Sequence, residues 1–161
     1  MLKKSGFTLV ELLVVISIIG VLSIIGLVAY GTFLKNARDA KRQSDLKFIQ
    51  SALEQYHADQ KYYPTLGSGN CPTAGDGKLR INCPLTDPLG NKTYLAQIPA
   101  ESQSSQPQYS YEAKPVDCDN AVSSTNKCTS YCIFVKIEGT LSSSDSRCSP
   151  VDSYNFSVSK P

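Results

Sequence analysis

The sequence predicts an α+β fold: a long N-terminal helical spine packed on a small antiparallel β-sheet. Three observations carry this. Residues 7–34 form an apolar run with one strongly polar member, Glu11. Apolar residues then recur at helical spacing, at Leu46, Ile49, Leu53 and Tyr56. Three short segments with alternating side chains close the chain.

The apolar run comes first. A bilayer core needs about 20 apolar residues, so 7–34 can span it. A secretory signal peptide has an apolar stretch of only about 7–15 residues followed by a small-x-small cleavage site, and the segment around 27–31 is a poor match to one. The run therefore reads as a transmembrane anchor. Thr8, Ser17, Ser23 and Thr32 can return their hydroxyls to the helix backbone. Glu11 has no such outlet. A charged side chain deep in a bilayer costs about 2.5–3.5 kcal/mol, so it needs a specific partner and marks a candidate functional residue.

Orientation follows from two opposed signals. Lys3 and Lys4 precede the span, whereas Lys35, Arg38, Lys41, Arg42 and Lys47 follow it, and a bare count places the C-terminal side inside. Large domains translocate regardless of such counts, and six cysteines belong in an oxidising compartment. The C-terminal domain is expected outside.

The spine continues beyond the span. Leu46, Ile49, Leu53 and Tyr56 make one stripe, flanked by Phe48 and Ala52, while Asp45, Lys47, Gln50, Glu54 and Gln55 take the other side. No proline interrupts before Pro64, so 7–60 reads as one helix of about 80 Å. Residues 64–107 are rich in proline and glycine and predict a long loop with tight turns and one short element near 92–98. The strand candidates are 108–113, 131–138, where Tyr131, Ile133, Val135 and Ile137 share a face, and 153–158. A meander of these strands over the amphipathic half of the helix would bury both apolar faces. The expected organisation is a leader at 1–6, a transmembrane segment at 7–34 and an extracytoplasmic domain at 35–161. Within that domain the helix runs to about 62, the loop covers 64–107 and the sheet covers 108–161.

The stretch Gly6-Phe7-Thr8-Leu9-Val10-Glu11, with the apolar residues after it, resembles the N-terminus of type IV pilins and pseudopilins. The similarity is dense over 3–34 and looser through 42–56 and Tyr63-Pro64. It implies a pilin-like fold and cleavage by a prepilin peptidase between Gly6 and Phe7. It also implies N-methylation of Phe7, and pairing of Glu11 with the Phe7 amine of a neighbouring subunit. Two opposite charges brought together in a low dielectric relieve each other's desolvation. The implied function is a structural subunit of a type IV pilus, a homo-oligomeric helical filament extracted from the bacterial cytoplasmic membrane by an ATP-driven platform. It would stand at the cell surface or in the periplasm, with no catalysis and no cofactor. The alternative is a pseudopilin of a type II secretion or DNA-uptake machine. A membrane-anchored binding domain that never polymerises is the third reading. Asp87-Pro88-Leu89-Gly90 and Tyr63-Pro64 resemble secretion pseudopilins. Six cysteines favour a pilus subunit, because the major secretion pseudopilins usually bind calcium near the C-terminus instead. The proline found midway through the membrane segment of some pilins is absent here; Gly20, Gly26 and Gly31 occupy that region.

Six cysteines admit about fifteen pairings. Loop closure alone favours Cys71 with Cys83, Cys118 with Cys128, and Cys132 with Cys148. Zinc is the rival, but His57 is the single histidine. Its lack of a catalytic neighbourhood assigns it a structural place. Asp117, Asp119 and Asn120 could contact calcium, though a polar turn fits them as well, and no metal site is assigned. The basic stretch at 35–47, with Asp39 and Asp45 interleaved, reads as a solvated helix face beside lipid headgroups, with subunit contacts or DNA phosphates as alternatives. A net charge of +2 does not compel nucleic-acid binding.

Overall fold

The computed structural model describes residues 6–68, 70, 71, 78–101, 103–120, 125–139, 145–148 and 153–161. Of the leader only Gly6 is among them, and Lys3 and Lys4 lie outside. The chain divides into two compact units, Met1–Arg38 and Asp39–Pro161. One α-helix, α1, covers Leu9–Gln60 and contributes to both.

In the first unit the helix presents its apolar side chains to its surroundings. The exposed residues run from Leu9 and Val10 through Ile24 and Ile25 to Phe33. This part of α1 is long and apolar enough to cross a membrane. The polar atoms within it turn inward on the backbone. Ser17 Oγ donates to Leu13 O at 2.8 Å and Ser23 Oγ to Ile19 O at 2.7 Å. A hydroxyl satisfied in this way carries little penalty in hydrocarbon.

In the second unit the helix turns an apolar stripe onto the sheet. Leu46, Ile49, Ala52, Leu53 and Tyr56 are buried with Tyr63, Leu85, Tyr111, Tyr131, Ile133 and Val135 in one core. Each large side chain in that stripe contributes about 1.5–3 kcal/mol by leaving water. Phe48 does not join it. At 100° per residue it points about 110° away from the stripe, and it is 59% exposed.

The helix stops at Gln60 because Lys61 turns left-handed, with φ 68°. Its N–H reaches back to His57 O at 2.8 Å and its Nζ to Ala58 O at 2.7 Å, an αL cap that satisfies two of the last carbonyls. A lysine in this conformation carries a steric cost that glycine does not. Lys61→Gly is therefore expected to raise the unfolding free energy by about 0.5–1 kcal/mol. Thermal denaturation checks this, and a lowered melting temperature would show that the lysine's carbonyl bond outweighs the strain.

The long loop holds more order than its composition predicts. Gly67 N donates to Leu79 O and Leu79 N to Thr65 O, tying the two ends of its first lobe. Two short strands, β1 at Leu85–Thr86 and β2 at Thr93–Leu95, pair antiparallel. Their turn forms as Gly90, at φ 75°, donates to Asp87 O while Asp87 Oδ1 accepts from Lys92 N. The larger sheet contains β3 at Ser110–Lys114, β4 at Ser130–Val135 and β5 at Phe156–Ser159, antiparallel in the order β3-β4-β5. The expected α+β architecture is what the structure shows.

Central strand β4 is buried on both faces. Tyr131, Ile133 and Val135 enter the main core, as the alternation predicts. Cys132 and Phe134 form a second small core with Cys148 and Tyr154 on the opposite face. The chain around 145–148 laps over that face. Asp145 N donates to Ser157 O at 3.1 Å, and Ser159 Oγ donates to Asp145 Oδ2 at 2.6 Å. Arg147 grips the same carboxylate from its Nε and Nη2. These hydrogen bonds, first those from Arg147, hold the Asp145 carboxyl well below the usual range.

The reading of 35–47 as a solvated face is corrected at two positions. Arg42 and Asp39 are both 2% exposed. Arg42 Nη1 donates to Asp39 Oδ1 at 2.6 Å and to Glu138 Oε1 at 2.9 Å, Nε to Glu101 Oε2 at 2.6 Å, and Nη2 to Gln103 Oε1 at 2.8 Å. Asp39 also accepts from the backbone N–H groups of Glu138 and Gly139. One guanidinium thus joins the helix, the loop residues Glu101 and Gln103, and the turn after β4. Asp45 accepts from the hydroxyl of Tyr109 at 2.9 Å.

Candidate assembly site

The start of α1 is built by a reciprocal cap. Thr8 is the N-cap: its Oγ1 accepts from Glu11 N at 3.2 Å. Glu11 Oε2 accepts in return from Thr8 N at 2.9 Å and from Thr8 Oγ1 at 2.8 Å. This capping box satisfies orphan donors at the helix start and sets a carboxylate where the helix dipole is positive. The hydroxyl of Thr8, expected to return to the helix backbone, instead donates to the Glu11 carboxylate from just before the first helical residue. The signal for the cap was present as Thr-x-x-Glu directly before an apolar run.

The cap has a consequence for its neighbours. Residues 6–8 lie outside the helix, so the peptide between Gly6 and Phe7 is not locked in helical hydrogen bonds. Phe7 is exposed, and a Cβ placed on Gly6 would meet nothing within 4 Å. The structure thus gathers Gly6, Phe7 and Glu11 within one turn of the helix start. Only Oε2 of Glu11 is engaged; Oε1 has no hydrogen bond among the described residues.

The remaining singled-out residues stand apart from this site. Cys71 is bonded to Cys83, Cys118 to Cys128 and Cys132 to Cys148. His57 stacks on the ring of Tyr63, centroids 4.6 Å apart. Asn120 is taken up by backbone: its Nδ2 donates to Tyr63 O at 2.7 Å and its Oδ1 accepts from Cys128 N at 3.3 Å. Asp117 and Asp119 are exposed on the adjoining turn. Among the described residues no cluster of histidine, cysteine, aspartate and glutamate could hold a metal ion.

Comparison with known proteins places these features. A family model described as the prokaryotic N-terminal methylation motif matches residues 1–27, the stretch that contains Gly6, Phe7 and Glu11. Over 101 residues the chain is 35% identical to the type II secretion system core protein G of Aeromonas hydrophila, covering 55% of this chain and 70% of that protein. The chain belongs to the pilin and pseudopilin family. The core protein G of Escherichia coli is 33% identical over 103 residues, 62% of this chain and 66% of that relative. A probable minor fimbrial protein of Dichelobacter nodosus is 29% identical over 102 residues, 62% of this chain and 64% of the fimbrial protein. The chain thus spans about two thirds of the length of each of these relatives. No solved structure gives a significant match. The pilin and pseudopilin family is a structural one, processed by prepilin peptidase and built into filaments. Its helix-plus-sheet plan is the one described above.

Proposed function

We propose that this chain is a pseudopilin of a type II secretion machine, a structural subunit that polymerises through its apolar helix and performs no catalysis. The observation that carries the reading is its 35% identity across 70% of a type II secretion core protein. This prefers the pseudopilin over the pilus subunit that the cysteine count favoured. A type IV pilus subunit is the second reading, supported by the similarity to a fimbrial protein. The length of fibre reaching beyond the cell separates the two.

In the mechanism a prepilin peptidase cuts the non-helical peptide between Gly6 and Phe7, and Phe7 is then methylated on its new amine. The membrane holds the cut subunits with the disulfide-bonded domain outside. An assembly platform and its ATPase draw them from the bacterial cytoplasmic membrane into a helical stack. Lipid around residues 7–34 is then exchanged for neighbouring helices, whose close packing holds the fibre. Glu11 makes the step selective. Thr8 occupies Oε2, and the unengaged Oε1 is offered to the Phe7 amine of a neighbour. Pairing relieves the cost of carrying a carboxylate into the filament core, about 2.5–3.5 kcal/mol.

The experiment is a mass measurement on mature protein joined to one variant. The mature chain is expected without residues 1–6 and with one added methyl group. Glu11→Ala is expected to cut filament yield by about 100-fold, the equivalent of that pairing energy, while processing continues. A mature protein that retains residues 1–6, or unchanged assembly by the variant, would overturn the reading.

A further inference from the structure

We propose that the acidic turn carrying Val116 and Asp117 on one copy docks on the basic face of α1 around Phe48 of a second copy. The proposal rests on the filament reading above and names a contact within the filament that lies outside the membrane segment.

The receiving face is defined by helical geometry. Lys41, Ser44, Lys47, Phe48 and Ser51 are all exposed and fall within about a third of the helix circumference at 100° per residue. Phe48, 59% exposed, stands between small serines with a lysine on either flank. Neighbouring acids do not neutralise the face. Asp45 is turned to the hydroxyl of Tyr109, and Glu54 accepts from the hydroxyls of Tyr63 and Tyr131. An apolar centre with a charged rim is the anatomy of a docking patch.

The incoming turn has the opposite charge and the same anatomy. Val116 is 62% exposed, with Asp117 and Asp119 exposed beside it. The turn is rigid. Cys118 N donates to Pro115 O at 3.1 Å, and Asp117 has φ 60°, the positive angle a type II turn requires at its third residue. The Cys118–Cys128 disulfide pins it, and Asn126 secures it twice: Nδ2 donates to Asp117 O at 3.2 Å, and its carbonyl accepts from Asp119 N at 2.9 Å. A pre-ordered turn loses little conformational freedom when it binds.

The two patches cannot meet on one molecule. Asn120, at the base of the turn, is bonded to Tyr63 just beyond the end of α1. Phe48 lies about 18 Å before that end at 1.5 Å per residue. Two different, complementary patches on one chain make a head-to-tail contact, which propagates as an open helical array when the rotation does not close. Such a contact is what a filament subunit needs.

Charge reversal tests this on the full chain. The variants are Lys47→Glu, Asp117→Lys and the two combined; lysine is already accommodated at a similar φ at position 61. Each single reversal is expected to lower filament yield at least about 10-fold, and the double reversal to restore it to within about 3-fold of wild type. Amounts of processed, membrane-held subunit and the melting temperature should stay unchanged. If a reversal fails to fold, the neutral pair Lys47→Gln and Asp117→Asn replaces it, with losses of about 3-fold each that do not multiply when combined. A double reversal no better than the worse single overturns the contact. So does a loss confined to the lysine variant, which would assign the basic face to anionic lipid or nucleic acid. Normal fibres from every variant overturn this contact alone, whereas no fibres from wild type overturn the function with it.

Discussion

Replacing Arg42 with methionine is expected to lower the unfolding free energy by about 3–5 kcal/mol, the range for breaking a buried ion pair from one side. The guanidinium is 2% exposed and meets the carboxylates of Asp39, Glu101 and Glu138. Without it the buried Asp39 and Glu101 and the partly buried Glu138 lose the positive charge that these contacts supply. The backbone donors from Glu138 and Gly139 still serve Asp39. Glu101 keeps the N–H of Gln103 at 3.0 Å, but both it and Glu138 lose the guanidinium. For a domain of this size the loss corresponds to a fall of about 10–20 °C in melting temperature. Chemical denaturation of the detergent-solubilised chain, followed by circular dichroism, measures it. Arg42→Lys keeps the charge but not the fork of donors, so it should fall between wild type and methionine. A loss under about 1 kcal/mol for the methionine variant would show that the cluster relaxes to admit water.

Mild alkali is expected to unfold the globular unit steeply, within one to two pH units above about 10, the ordinary tyrosine value. Five tyrosines in its core have hydroxyls whose ionisation is pushed well up. Burial is the first cause for each of Tyr56, Tyr63, Tyr109, Tyr111 and Tyr131. Carboxylates add to it, Glu54 against Tyr63 and Tyr131, and Asp45 against Tyr109. In the unfolded chain these groups lose their protons near the ordinary value, while in the folded chain they keep them. The folded state therefore binds more protons, and its advantage, complete below pH 10, shrinks as pH rises. Each tyrosine removes about 1.4 kcal/mol per pH unit, so five remove about 7. Two units then remove about 14 kcal/mol, within the 5–15 kcal/mol typical of a whole domain. Ultraviolet titration of the phenolates should then show a steep step coincident with loss of circular dichroism. Five independent, gradual ionisations near pH 10 in a folded protein would refute the expectation.

These two clusters show what is legible in the sequence and what is not. The stripe at Leu46, Ile49, Leu53 and Tyr56, and the alternation at Tyr131, Ile133 and Val135, were readable because period alone decides which face is buried. Arg42 was not. Its local signal, an acid three residues before a base, is the same in water as in a core. Its deciding partners, Glu101 and Glu138, lie 59 and 96 residues away. Phe48 misled for a related reason, being apolar and next to the stripe in sequence yet about 110° from it in space. Cys132 and Phe134 face a second core only because the chain at 145–148 returns over them, which no local pattern encodes. At the assembly site Gly6, Phe7 and Glu11 were recognisable as a motif, and the reciprocal cap was encoded as Thr-x-x-Glu; only the atoms show the Thr8 hydroxyl donating to the carboxylate rather than to the backbone.

The three disulfides join cysteines that are consecutive along the chain, separated by 12, 10 and 16 residues, and no loop encloses another. A polypeptide delivered across a membrane from its amino end exposes its thiols in that same order. Each newly arrived sulfur finds its correct mate as the one still unspent. Native cross-linking can thus follow export step by step, with little call for reshuffling, and the cell can supply this subunit with an oxidant alone.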